Sequence, residues 1–250
     1  MDIEEFKKFL KEKVIIINFF PGTCGNFLYS VLCMSDSVNH INKNVDLFFD
    51  KYGGAHLNKK IIFKNFHGFL EIERWKKLNS DDRILFLKDN FNSSDASPEL
   101  YNIVHICSPN NHFELCEVFD RNKIITIGAT QFDLKLVQDM FYNKVSKISY
   151  NFNFPPKLQL LIKNNEKYKE KIIKKNFEDM FNFFLEKFNN FEFDDTDFII
   201  TVRNFFDKDV FYKIVSQLEI KFNISLDKEK VNELYDKFIS LNSKYIEDID

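Results

Sequence analysis

Two features of the chain combine residue types and spacing that suit chemistry. The first is Phe20-Pro21-Gly22-Thr23-Cys24-Gly25-Asn26-Phe27-Leu28. Gly22 and Gly25 permit positive φ and close approach by a ligand, so consecutive backbone N–H groups can converge on one anion. Thr23 and Asn26 add side-chain donors, and Asn26 also suits a helix N-cap. Gly22, Thr23, Cys24, Gly25, Asn26 and Phe27 are therefore the candidate phosphate-binding residues. The Walker pattern G-x-x-x-x-G-K-[ST] is absent, because no lysine follows Gly25. A strand-to-helix corner in which glycine only relieves crowding accounts for so short a motif equally well. The second feature is a pair of histidines. His67 follows Ile61-Ile62-Phe63-Lys64-Asn65-Phe66, and His105 lies in Asn102-Ile103-Val104-His105-Ile106-Cys107. Each stands where an apolar run ends, and ligands of open α/β sheets bind beyond the carboxyl ends of the strands. An ordinary hydrogen-bonded histidine at a strand end is the alternative for either one.

These residues need a scaffold, and the chain spells one out. Val14–Phe20 is a continuous β-branched and aromatic run, as expected of a strand buried on both faces. The glycine turn follows at 21–25, and residues 26–34 carry apolar side chains at helical spacing. Further strands are expected at 60–66, 101–107, 123–127 and 198–203. Helical patterns occupy 3–12, 71–78, 112–119 and 131–141, then one or two amphipathic helices in 157–190, then 207–222 and 227–246, the last two joined by Asn223-Ile224-Ser225. Strands separated by helices point to parallel βαβ units. The expected fold is one α/β domain over residues 1–250: a central parallel sheet between helical layers, with helical additions at 157–190 and 207–246.

Composition bounds the function. The chain has 250 residues, 35 Lys plus Arg against 38 Asp plus Glu, and a formal charge of −3. No bulk basic field exists to hold nucleic acid, so any anion site is local. Only 6 Gly and 5 Pro accompany 31 Phe, which argues against a many-turned all-β fold. The amino-terminal stretch MDIEEFKKFLKEK lacks the apolar core of a signal peptide, and no apolar run approaches the ~18 residues that span a bilayer. Cys24, Cys33, Cys107 and Cys116 have no short paired spacing, so buried free thiols and a cytoplasmic, reducing setting are expected.

The 20–28 loop resembles the phosphosulfate loop of the sulfotransferase family, written P-K-S-G-T-T-W-L. Pro21, Thr23, Phe27 and Leu28 match in register. The resemblance implies a P-loop-like three-layer α/β fold. It also implies transfer of a sulfuryl group from 3′-phosphoadenosine 5′-phosphosulfate to a hydroxyl or amine of a small molecule or glycan, without a metal. Such an in-line displacement needs positioning, charge stabilisation and a base for the acceptor. His105 is the first candidate base, because its segment also resembles the family's K-T-H-L-P; His67 is the second. The family's loop lysine falls on Gly22, and the arginine expected after strand 123–127 is replaced by Gly128-Ala129-Thr130. Thr126, Thr130 or Gln131 would supply neutral contacts there. Arg203, in Ile199-Ile200-Thr201-Val202-Arg203, imitates the missing arginine but stands too near the carboxyl terminus, and reads as a structural or rim charge. Phe205–Tyr245 is similar to the family's closing helices.

Two other readings stay open: a non-catalytic nucleotide- or phosphate-binding module that lost its cations, and a P-loop kinase-like phosphotransferase. His105, Cys107, His112 and Cys116 lie within twelve residues but lack the spacing of a zinc finger. The acidic 192–197 stretch reads as solvated loop charge.

Overall fold

The computed structural model describes residues 1–20, 22–49, 59–66, 69–106, 112–145, 166–189, 193–242 and 244–245. Val14–Phe19 forms β1, with every residue buried. Next to it run β2 (Asn102–Ile106) and β3 (Ile124–Gly128), and β4 (Phe198–Thr201) lies beyond β3. All pairings are parallel, giving a four-stranded sheet of order β2-β1-β3-β4. The strands expected at 14–20, 101–107, 123–127 and 198–203 are therefore present: the first and last are shorter at the carboxyl end, the second at both ends, and the third is shifted one residue to end at Gly128.

Successive side chains of a strand point to opposite faces, and β1 divides its residues accordingly. Ile15, Ile17 and Phe19 enter one core with Ile103, Ile125 and Ile127. Val14 and Ile16 enter the other with Val104, Ile106 and Ile124. The second core is covered by α1 (Ile3–Lys13), α3 (Phe69–Lys76), α4 (Ser80–Asp89) and α5 (His112–Val118). The first is covered by α2 (Gly25–Leu32), α6 (Leu134–Val145), α7 (Glu166–Asn189), α8 (Lys208–Phe222) and α9 (Lys228–Asn242). The result is an α/β sandwich, a parallel sheet between two helical layers.

Two elements differ from expectation. Residues 60–66 are not a strand; Phe63 makes one isolated antiparallel bridge with Phe91. Lys64 N–H donates to the Asn90 carbonyl and Asn92 N–H to that of Ile62, and Asn65 turns away at φ 55°. Ile62, Phe63 and Phe66 are buried in the second core beside Trp75 and Phe119, so their apolar character serves packing, not sheet pairing. Helix α4 is the other difference. Asn79 caps it by accepting the Asp82 N–H, and Asp81 and Asp82 favour its first turn.

Candidate functional site

The glycine loop joins β1 to α2 at the carboxyl edge of the sheet. The Thr23 N–H and hydroxyl both donate to the Phe20 carbonyl, at 3.0 and 2.6 Å, closing a tight turn with Thr23 fully buried. Gly22 has φ +94°, and a Cβ there would lie 2.8 Å from the Val137 carbonyl oxygen of α6. Gly25 is required for a different reason: its Cβ would lie 2.2 Å from the Phe19 ring. Cys24, not Asn26, is the N-cap of α2; it has φ 67°, ψ 13° and makes no side-chain cap bond. A non-glycine residue in this left-handed region costs on the order of 1 kcal/mol. Phe27 is buried, its ring stacked 4.0 Å from Phe238 and in contact with Phe205 and Phe211. Its aromatic side chain therefore belongs to the core, leaving only its amide at the head of the helix.

Asn26 stands in the first turn of α2, and there the structure supplies a cation that no local pattern revealed. The Lys59 Nζ donates to Asn26 Oδ1 across 33 positions of sequence and lies 5.5 Å from the centre of the Tyr29 ring. The next residue helps to fix it, because the Lys60 N–H donates to the Tyr29 hydroxyl at 3.1 Å. A helix N-terminus already favours negative charge; the ammonium adds a full positive charge beside it.

His105 is the penultimate residue of β2, opposite Ile17 of β1. Its half-buried ring packs between Phe19 and Tyr29, with centroids 6.3 and 6.2 Å away. Through Tyr29, His105 and Lys59 border the same aromatic side chain. Burial pushes the Tyr29 hydroxyl well above its ordinary range, so it acts here as a neutral acceptor. The neighbouring Cys33 thiol is pushed up to about 12 by burial and is no nucleophile. His67 lies outside the described residues, as does Cys107, and the strand expected to carry His67 to the sheet edge does not form.

The strand order reverses between β1 and β3, since β2 lies to one side of that pair and β4 to the other. Crevices beyond such a reversal are the usual ligand sites of open parallel sheets. The loop after β1 and the turn after β3 flank this one. The chain matches no known family model, no curated protein and no solved structure. Its site must be read from its own residues.

The turn after β3 is held rigidly. Asp133, fully buried, accepts the Thr130 N–H at 2.6 Å and its hydroxyl at 2.9 Å. Arg203, just past β4, pairs through Nε with the other oxygen of Asp133 and through Nη2 with the Phe132 carbonyl at 3.1 Å. Arg203 is thus a structural charge at the rim, as its sequence position suggests.

A second polar cluster lies on the opposite face of the sheet. His112 Nε2 is 2.9 Å from Asp197 Oδ1 and Nδ1 is 3.2 Å from the Thr126 hydroxyl. Arg121 grips Asp197 with two bonds of 2.8 and 2.6 Å. Burial raises the Asp197 carboxyl, but the bonds from Arg121, the Asp194 N–H and His112 outweigh it and hold it down to about 2. Burial also lowers His112 against the pull of Asp197, keeping the imidazole neutral. Thr126 and His112 are buried among the described residues, so this resembles a nucleophile–base–acid row in composition while its hydroxyl and imidazole are packed into the core. It ties α5, β3 and the approach to β4 together. Among the described residues no group of three or more His, Cys, Asp or Glu is placed to hold a metal ion, and no helix is long and apolar enough to cross a membrane.

Proposed function

We propose that the protein binds a phosphate or phosphosulfate group on the Gly22–Phe27 loop and is a sulfotransferase-like enzyme of P-loop type. The observation that carries this reading is the delivery of Lys59 to the first turn of α2. A cation at that place answers the lysine missing from position 22. A second support is Cys24: it stands at the glycine of P-K-S-G-T-T-W-L and takes the left-handed conformation that glycine favours.

The residues present suit a 5′-phosphosulfate in sign: amides at the head of α2, the Asn26 side chain and the Lys59 ammonium. They suit a 3′-phosphate less well, because the guanidinium nearest the turn after β3 is engaged with Asp133. When bound, 3′-phosphoadenosine 5′-phosphosulfate supplies the sulfuryl group. Lys59 offsets negative charge on the leaving phosphate, and the α2 amides orient it. His105 removes the proton of an acceptor hydroxyl on a small molecule or glycan. No metal and no membrane or nucleic-acid partner enters this scheme, and a cytoplasmic setting fits it.

Calorimetric titration with 3′-phosphoadenosine 5′-phosphate and with ADP, with and without Mg²⁺, tests the reading. Metal-independent preference for the former is expected. Mg²⁺-dependent preference for ADP supports a kinase-like enzyme instead, and binding of neither rejects the loop as an anion site. Tight binding combined with full transfer activity in His105→Ala removes His105 as the base.

A further inference from the structure

The turn after β3 has a feature the phosphate loop does not use. Phe132 is 85% exposed, yet the backbone that carries it is fixed from both sides. The Thr130–Asp133 bonds close the turn in front, and Arg203 bonds the Phe132 carbonyl itself. Single exposed apolar side chains are common on protein surfaces. This one differs in being an aromatic ring on an immobilised turn, beside the point where the strand order reverses.

Its distance from the loop is also informative. The turn runs directly into α6, and α6 packs against Gly22 through Val137. Phe132 precedes Val137 by five residues, a rise of roughly 8 Å along a helix. Phe132 therefore stands about one to two helical turns from the residue that touches Gly22, a separation of the same order as that between the phosphate and the base of a nucleotide.

We propose that Phe132 is a stacking platform for the planar ring of the ligand whose anionic group sits on the Gly22–Phe27 loop. It is thereby the residue that selects a nucleotide over a simple inorganic anion. The inference rests on the anion-binding reading of that loop. A fixed backbone and a side chain with two rotatable bonds mean that little freedom is lost on stacking. The ring face is available to any base, so the platform sets ring against no ring more than one base against another.

Titrations of the full chain with 3′-phosphoadenosine 5′-phosphate and with inorganic pyrophosphate test this in wild type, Phe132→Ala and Phe132→Trp. Phe132→Ala is expected to weaken nucleotide binding about tenfold and leave pyrophosphate binding unchanged. Phe132→Trp is expected to retain the nucleotide and show quenched fluorescence when it binds. Unchanged nucleotide affinity in Phe132→Ala overturns the platform, and so does an equal loss for both ligands. Loss of self-association in Phe132→Ala with binding intact also overturns it, assigning the ring to a protein interface. If wild type binds pyrophosphate as tightly as the nucleotide, the platform falls and the loop reading stands. If wild type binds neither, both fall.

Discussion

Asp197→Asn tests how far the fold depends on one buried carboxylate. The Asp197 side chain has no solvent exposure and receives four hydrogen bonds: from His112 at 2.9 Å, from Arg121 at 2.8 and 2.6 Å, and from the Asp194 N–H at 2.9 Å. The amide keeps the shape but loses the charge, and its NH₂ group must face either the guanidinium or the imidazole. Removing one partner of a buried pair costs about 3–5 kcal/mol, a large share of a typical domain's stability. The pH dependence is a separate prediction. Holding the carboxyl at about 2 instead of its ordinary 3.8 contributes about 2 kcal/mol. Because this pKa is depressed in the fold, the contribution is present above pH 3.8 and is lost as pH falls towards 2. His112 acts in the same direction: its lowered pKa makes proton uptake favour the unfolded chain, so stability declines as pH falls below 6.5. Urea unfolding can be followed by the fluorescence of Trp75, the only tryptophan and fully buried. The gap between wild type and variant should be about 3–5 kcal/mol at pH 7 and shrink between pH 4 and 2. A gap below about 0.5 kcal/mol, ordinary for surface substitutions, or one that does not change with pH, refutes the clamp.

Further substitutions probe the loop and its surroundings. Lys59→Ala should weaken 3′-phosphoadenosine 5′-phosphate about tenfold, as expected for loss of a charge-assisted bond, with only a small fall in the urea midpoint from the lost contacts to Asn26 and Tyr29; Lys59→Arg should restore much of it. Gly25→Ala should destabilise by about 1–3 kcal/mol through its clash with Phe19. In a denaturation cycle Phe19→Leu should relieve part of that cost, and strict additivity would exclude the contact as its origin. Phe27→Ala should cost about 3–5 kcal/mol in urea unfolding, because the ring is core; a loss of ligand affinity at unchanged stability would contradict its stacked position on Phe238.

The parts legible in the sequence are those whose cause is local. Val14–Phe19 declares itself because a strand buried on both faces must be apolar at every position. The glycine turn and α2 follow immediately. Residues 60–66 mislead because Ile62, Phe63 and Phe66 are as apolar as strand residues, while their burial against Trp75 and Phe119 depends on helices elsewhere in the chain. Helix α4 left signals only at its ends, with Asn79 capping, acids in the first turn and Lys88 in the last. In the site, the loop residues were visible, but Lys59 was not: its partner Asn26 is 33 positions away. The same is true of Asp133 and Arg203, separated by 70. No periodicity records a pairing of that range.

The two loop glycines lead to a more general point about the site. Phe19 requires Gly25, and Val137 with a positive φ requires Gly22, so packing alone explains both. A glycine that the fold needs cannot by itself distinguish an anion cradle from a corner. Residues outside the packing of the turn bear on that distinction more directly. Lys59 is one, a long cationic side chain brought to a helix N-terminus where a negative group is favoured. Phe132 is the other, an aromatic ring left in water on a turn built to hold it still. On the proposed reading, an anion carrying a planar ring makes use of both. Substitutions at Lys59 and Phe132 therefore separate the readings better than substitutions at the glycines, whose loss disturbs packing under either one.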